Sequence, residues 1–268
     1  MIAYPFTYRR AQSVKDAEAM LAHTPDAKLL AGGHSLIPAM KLRLANPSAL
    51  IDISGLPELS YIRGRDGGVA IGAMTTHSEV MDSDLVHHRI PALAHLVSEI
   101  GDPAVRHLGT IGGSVANNDP AADYPAAVLG LGATVTTTRR SIAADVFFTG
   151  MFATALDEGE IVTEIFFPVP KRAGYAKFAN PASRYAMVGV FVADTEAGIR
   201  VAVTGAAGCV FRAQKMEAAL ADAFSPEAVG YISVSADGLN SDIHGSAEYR
   251  AHLVTVMAKR AVTAALES

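Results

Sequence analysis

A chain of 268 residues, half of them hydrophobic and only 18% charged, is too apolar to stay disordered and long enough to bury a sizeable core. Its 22 basic and 27 acidic residues leave a formal net charge of −5, with no Lys/Arg run longer than a pair, which sets aside a phosphate-tracking nucleic-acid face. The single cysteine, Cys209, cannot close an intrachain disulfide, and one thiol cannot hold an iron–sulfur cluster, which takes about four ligands.

The first dozen residues lack the apolar stretch of a secretory signal, and no apolar run is long enough to span a bilayer, so a cytoplasmic protein without a transmembrane segment is expected. Ser13 is placed to cap a helix carrying Val14, Ala17 and Leu21 at helical spacing. Lys28 to Ala31 reads as a short buried strand running into Gly32-Gly33. Ser35 then caps a helix from Leu36 to about Leu44, which Asn46-Pro47-Ser48 breaks, and Ala49 to Ile53 is a second strand. Two strands joined through a helix predict a small parallel unit.

Gly55 to Pro57 reads as a hinge. Beyond it come short strands near Tyr61–Ile62 and Val69–Ala73, then an amphipathic helix marked by Leu93, Leu96, Val97 and Ile100 that Gly101-Asp102-Pro103 ends. After a second glycine turn, Ala116 to Gly132 reads as short helices, and Thr134–Thr138 and Ile161–Phe167 as strands closed off by Pro168 and Pro170. The last hundred residues show strands near Tyr185–Ala193 and Ile199–Thr204. Helices follow, the final one striped by Tyr249, Leu253, Val256 and Met257. No fixed-period repeat is present.

Two glycine pairs share a design: Gly32-Gly33-His34-Ser35 and Gly112-Gly113-Ser114. Glycine lets the backbone come close to a ligand and adopt positive φ, and the free N–H groups of such a turn can bind a diphosphate with the Ser hydroxyl as a further donor. A lone glycine pair more often just turns the chain; the doubling favours a site without deciding it. Neither G-x-G-x-x-G nor G-x-x-x-x-G-K-[ST] occurs, so a dinucleotide would have to bind outside those two modes. Asp119 and Asp123, four apart, would share one helix face and could accept hydrogen bonds from sugar-like hydroxyls, although exposed carboxylates are the commoner reading. The nine histidines form no metal-ligand pattern and read as surface or capping groups. Tyr185, in an apolar stretch, reads as core more readily than as a stacking platform.

The run Ala31-Gly32-Gly33-His34-Ser35-Leu36-Ile37-Pro38-Ala39-Met40-Lys41-Leu42-Arg43-Leu44 resembles the first FAD-binding loop of the medium subunits of aerobic carbon-monoxide-dehydrogenase-type enzymes. Gly109-Thr110-Ile111-Gly112-Gly113-Ser114, continuing through Asn118 and Asp119 to Asp123, resembles the second, and Ile71 to His77 a third family segment. The similarity runs on through Tyr185-Ala186 and Thr204-Gly205 to the closing helix around Tyr249-Arg250, nearly the whole chain.

The resemblance implies an α+β fold: a two-subdomain FAD-binding module of the PCMH type, residues 1–56 and 57–170, followed by a C-terminal domain of antiparallel sheet plus helices, residues 171–268. It implies non-covalent FAD. Gly32, Gly33, His34 and Ser35 would line one side of the diphosphate. Thr110, Gly112, Gly113 and Ser114 would line the other, and Ala31, Leu36, Ile111 and Asn118 would also belong to the cofactor-binding set. Asp123 would reach the ribityl chain, and Tyr185 would pack on the isoalloxazine ring. It assigns no catalytic residue and no metal to this chain. The molybdenum cofactor belongs to a large partner subunit and the [2Fe–2S] clusters to a small one, in an (αβγ)2 heterohexamer. Electrons would pass from the clusters to FAD and on to an external acceptor. Two departures from the family pattern stand out: Leu108 where a second arginine is frequent, and Arg184 where an acidic residue commonly precedes the tyrosine. The rival readings are a stand-alone FAD-dependent oxidase of the vanillyl-alcohol-oxidase type and a cofactor-free assembly or binding protein.

Overall fold

The structure is a computed structural model that describes residues 2–268. It begins with β1 (Thr7–Arg10), α1 (Val14–Ala22), β2 (Lys28–Leu30), α2 (Leu36–Lys41) and β3 (Ala49–Asp52). These strands form a parallel sheet in the order β1-β3-β2. As the central strand, β3 is buried at every position, which is why Ala49-Leu50-Ile51 is a continuous apolar run. The Ser13 hydroxyl accepts from Asp16 N and starts α1, which buries Ala17 in the core that holds Ile51. The expected parallel unit is present, with an additional edge strand, β1, that the sequence reading did not include. Its alternating Thr7-Tyr8-Arg9-Arg10 is exposed throughout.

Next come β4 (Ile62–Arg65) and β5 (Gly68–Gly72), then a cluster of short helices: α3 (His77–Met81), α4 (Asp84–Arg89), α5 (Pro91–Ser98), α6 (Pro103–Leu108), α7 (Ile111–Asn117) and α8 (Tyr124–Gly130). Side-chain caps from Thr76, Ser83, Asp102 and Thr110 start four of them, and Thr76 with Glu79 closes a reciprocal capping box. After β6 (Thr134–Thr137), β7 (Ser141–Ala143), α9 (Ala144–Phe147), β8 (Phe148–Gly150) and β9 (Ala153–Thr154), the long strand β10 (Val162–Pro168) returns through the middle of an antiparallel sheet ordered β4-β5-β10-β6-β7. The helices cover this sheet and share its core with Val69, Ile71, Ile165 and Phe167.

The C-terminal part holds β11 (Arg172–Ala179), β12 (Ala186–Thr195), β13 (Gly198–Thr204) and β14 (Phe211–Arg212), an antiparallel sheet in that order, with α10 (Gln214–Asp222), α11 (Pro226–Gly230) and α12 (Ala247–Glu267). In β12, Val188, Val190 and Val192 face the core under α12, whereas Phe191 and Ala193 join the core of the preceding sheet. Both faces are covered, so the strand reads as unbroken apolar sequence rather than as an alternation. Arg200 fastens the two parts by donating to Leu129 O (2.9 Å) and pairing with Asp145 (2.6 Å). Among the described residues no helix is long and apolar enough to cross a membrane.

Candidate functional site

The chain leaves β2 at Leu30 and turns through Gly32 and Gly33 into α2. Gly33 has φ +71°, a left-handed conformation that L side chains rarely adopt. Gly32 lies against the other loop: a Cβ built there would sit 2.1 Å from Leu108 O and 2.8 Å from Gly109 Cα. Among the described residues, the backbone N–H groups of Gly32, Gly33, His34 and Ser35 donate to no other group of the chain. Ser35 occupies the N-cap position of α2, but its hydroxyl makes no capping hydrogen bond and the residue is exposed. The helix stops at Lys41, short of the expected Leu44.

The second glycine pair differs from the expected turn. Gly112 and Gly113 lie inside the first turn of α7, which Thr110 caps by accepting from Gly113 N (3.2 Å). Gly112 is required for space, since a Cβ there would meet Ala73 Cβ at 2.5 Å. The N–H groups here are already used: Ile111 donates to Thr75 O, Gly112 to Ala73 O and Ser114 to Thr110 O. Thr110, Ile111 and Gly112 are buried, whereas Gly113 and Ser114 are half-buried. The donors free for an anion are therefore concentrated on the first loop, and the second is a packed wall opposite it. The walls adjoin: a Cβ on Gly113 would lie 3.8 Å from Ala31 Cβ, and His34 Nε2 is 3.2 Å from Ala104 O.

At the far end of α7 stands Asn118, a left-handed C-cap (φ +43°) that is 1% exposed. Its Nδ2 donates to Gly150 O and Ala153 O, each at 2.8 Å, so its amide group clamps the β8–β9 hairpin to the helix. Asp119 and Asp123 do not share a helix face. Asp119 is in the turn between α7 and α8, its carboxylate accepting from Ala121 N, and Asp123 is the residue before α8. The intervening Pro120 and the left-handed Asn118 rule out one continuous helix. Asp123 is buried and held on both oxygens, by Tyr175 OH and by Lys177 Nζ at 2.9 Å, while Lys177 also donates to Glu99 O. Burial pushes the Asp123 carboxyl up, and Lys177 and Tyr175 hold back part of that rise.

Tyr185 is half exposed and stands just before β12, so the core expectation is corrected: Arg184 (φ +61°) and the Asn180–Ser183 turn lift the ring out of the strand. Burial and the neighbouring Asp119 and Asp123 raise its phenol pKa. The Arg184 stem packs over Gly101. His77 also departs from a surface role. It is buried against Tyr124, and burial, then His34 and Arg106, bring its pKa down to about 4, so it is neutral near pH 7. Among the described residues no cluster of His, Cys, Asp or Glu could hold a metal ion.

Tyr175 and Lys177 were absent from the sequence reading because β11 was. Gly174 and the small residues around it argue against a strand, but Gly174 is there because α12 passes close: a Cβ would lie 2.1 Å from Ala261 O. The available signal was a lone lysine in the apolar run Tyr175-Ala176-Lys177-Phe178.

The FAD binding domain in molybdopterin dehydrogenase matches residues 4–170, and the CO dehydrogenase flavoprotein C-terminal domain matches residues 173–265. The chain is 38% identical to the carbon monoxide dehydrogenase medium chain of Hydrogenophaga pseudoflava, over 99% of this chain and 98% of that one. It is 36% identical to the nicotine 6-hydroxylase medium subunit of Paenarthrobacter nicotinovorans, over 96% of each. Among solved structures, a chain of the reconstituted CO dehydrogenase from Oligotropha carboxidovorans superposes with TM-score 0.91 at 35% identity, covering 99% of both chains.

Proposed function

Because the chain belongs to the family of FAD-binding medium subunits of molybdenum hydroxylases, we propose that it holds FAD along α7, takes electrons from the [2Fe–2S] clusters of a small partner subunit and delivers them to an external acceptor. The observation that carries this reading is the run of unpartnered N–H groups from Gly32 to Ser35, pressed against Leu108–Gly109. Such a concave set of backbone donors favours an anionic diphosphate. The residues present fit the cofactor. Gly32, Gly33, His34 and Ser35 would hold the diphosphate by their N–H groups, with the Ser114 hydroxyl as a further donor. Thr110, Ile111, Gly112 and Gly113 would form the opposite wall, and Ala31 and Leu36 would close the near side. The remaining lone pairs of Asp123 would meet ribityl hydroxyls. Tyr185 would cover the ring. Asn118 would act by fixing the end of α7 rather than by contact.

When bound, FAD supplies the redox chemistry. The chain's residues would position the cofactor and set the charge around it: Asp123 is compensated by Lys177, and the buried His77, its pKa lowered to about 4, adds no positive charge near pH 7. The relatives above are named for different substrates, carbon monoxide and nicotine. That supports a division of labour in which a large molybdenum subunit selects the substrate. The assembly would be the (αβγ)2 heterohexamer.

The test is purification with and without the co-occurring subunits. The expected result is a yellow chain whose flavin is released by acid, oxidising substrate only within the complex. A colourless chain that takes up no FAD would favour an assembly protein, and full turnover by the isolated chain would favour a stand-alone oxidase.

A further inference from the structure

The closing helix α12 carries a buried charge. Arg250, in its first turn, is 4% exposed and sits among the buried Ala251, Leu253, Val254 and Met257 of the same helix. Its guanidinium fork is fully engaged at the tips: Nη1 donates to Met187 O (2.7 Å) and Gly205 O (3.1 Å), and Nη2 donates to Asp242 Oδ2 (2.8 Å). An apolar side chain of similar volume commonly serves stability as well as a buried ion pair does. What the rigid, planar fork adds is a fixed location for the groups it holds.

Those groups are the ends of two strands beside the flavin site. Along β11 and β12, Phe178 pairs with Val188 but Ala179 pairs with Ala186, so Met187 is the extra residue of a β-bulge. On the other side of β12 the ladder with β13 ends at Gly189 and Thr204. Met187 thus has no cross-strand partner among the described residues, and Arg250 takes its carbonyl instead. Gly205 (φ +81°) follows β13 and lies against the bulge: a Cβ there would sit 2.5 Å from Ala186 O. Bulges bend a strand and re-aim the side chains next to them, and losing the extra residue turns its neighbours to the opposite face. Tyr185 stands two residues before Met187. Its carbonyl accepts from Asn180 N (2.8 Å), and it lines a hollow of about 170 Å³ together with Asp242 and Arg250. The same strand ends grip the turn that leads into Asp123. Ala186 N donates to Ala121 O (3.3 Å) and Gly205 N to Pro120 O (2.8 Å), while Thr204 Oγ1 donates to Pro120 O (3.1 Å) and Ala122 O (2.7 Å).

We propose that Arg250 is a positioning residue of the flavin site: it holds the bulge at Met187 that carries Tyr185 out of β12, and it steadies the strand ends that fix the Pro120–Ala122 turn before Asp123. Asp242 acts through Arg250 by holding the other arm of the fork. This deepens the reading above that Tyr185 covers the isoalloxazine ring, and rests on it. A helix far along the chain, with no contact to FAD, would then set where the ring-facing tyrosine stands.

The test uses the purified complex and reads the visible absorption, the reduction potential and the rate of FAD loss, with thermal melting in parallel. Arg250→Met is expected to shift absorption and potential in the same sense as Tyr185→Ala, and to speed FAD loss by about fivefold to tenfold, as the loss of one or two net hydrogen bonds implies. Because Arg250 acts on the ring through Tyr185, Arg250→Met combined with Tyr185→Ala is expected to shift the potential no further than Tyr185→Ala alone. A purely structural arginine would lower Tm and leave the spectrum and potential of the bound flavin unchanged, and that result overturns the proposal. Additive shifts in the double variant also overturn it, since the effect would then bypass Tyr185. Should Arg250→Met fail to fold, Asp242→Asn decides: its side chain is 45% exposed, and a smaller shift in the same sense supports the proposal, whereas wild-type absorption and potential overturn it. All of these outcomes leave the flavin reading standing; a wild-type complex in which this chain holds no FAD sinks both.

Discussion

Gly32→Ala is the sharpest probe of the cleft. The added Cβ would sit 2.1 Å from Leu108 O, where ordinary contact begins near 3.4 Å. Both neighbours are backbone, so no flexible side chain can give way, and the two loops must part by about 1 Å. That overpacking costs about 1–3 kcal/mol, which a domain stable by about 5–15 kcal/mol survives. The same movement takes N–H groups aimed at a diphosphate from about 2.9 Å to beyond hydrogen-bonding range. Hydrogen bonds to a charged group are each worth about 1.5–3 kcal/mol. Losing two weakens FAD binding by about 3–6 kcal/mol, a hundredfold or more in Kd. The assay is titration of flavin-free protein with FAD, followed by fluorescence quenching, with thermal melting measured in parallel. Gly64→Ala is the control, because its Cβ would meet nothing nearer than Leu85 Cδ1 at 3.9 Å. If Gly32→Ala binds FAD within about threefold of wild type, the contact between the loops is not what shapes the site.

Three further outcomes are expected. Lys177→Met leaves Asp123 buried without its countercharge and should cost about 3–5 kcal/mol in urea denaturation, largely restored by adding Asp123→Asn; a cost below about 1 kcal/mol would mean that the pair is solvated. Glu160, held by Arg140, Thr137 and Asp157 N, has its pKa lowered from 4.5 to about 2. A depressed carboxyl stabilises the fold above its unfolded value and loses that contribution as pH falls from about 4.5 towards 2; Glu160→Gln should lower Tm at pH 6 and flatten the acid limb, and an unchanged acid limb would count against it. Tyr185→Ala should change stability by no more than about 0.5 kcal/mol, because the ring is half exposed, yet shift the visible absorption and reduction potential of bound flavin; identical spectra and potential would remove Tyr185 from the site.

Much of this protein can be read in order from its residues, because local rules act at short range. Ser13 and the apolar spacing behind it specify α1, Ala49-Leu50-Ile51 specifies a strand covered on both faces, and the glycine pairs mark the places where backbone comes close to something else. What each glycine approaches is a tertiary fact. Gly33 needs its φ, Gly32 makes room for Leu108, Gly112 for Ala73 and Gly174 for α12. The same residue type answers four different demands, and only the three-dimensional neighbour tells them apart. For that reason the second glycine pair, read as a turn, is a helix start whose N–H groups are already bonded.

Sequence alone determined the class of fold, the absence of any cluster ligand set on this chain and the two segments that face each other. Tertiary structure decided which of those segments keeps donors free, that Tyr185 stands outside its strand, and that Asp123 is balanced by Lys177 from 54 residues away. The division has a physical cause. Propensity, capping and periodicity are set by residues within a turn or two of one another, whereas burial, charge pairing and hydrogen-bond availability depend on which distant backbone arrives alongside.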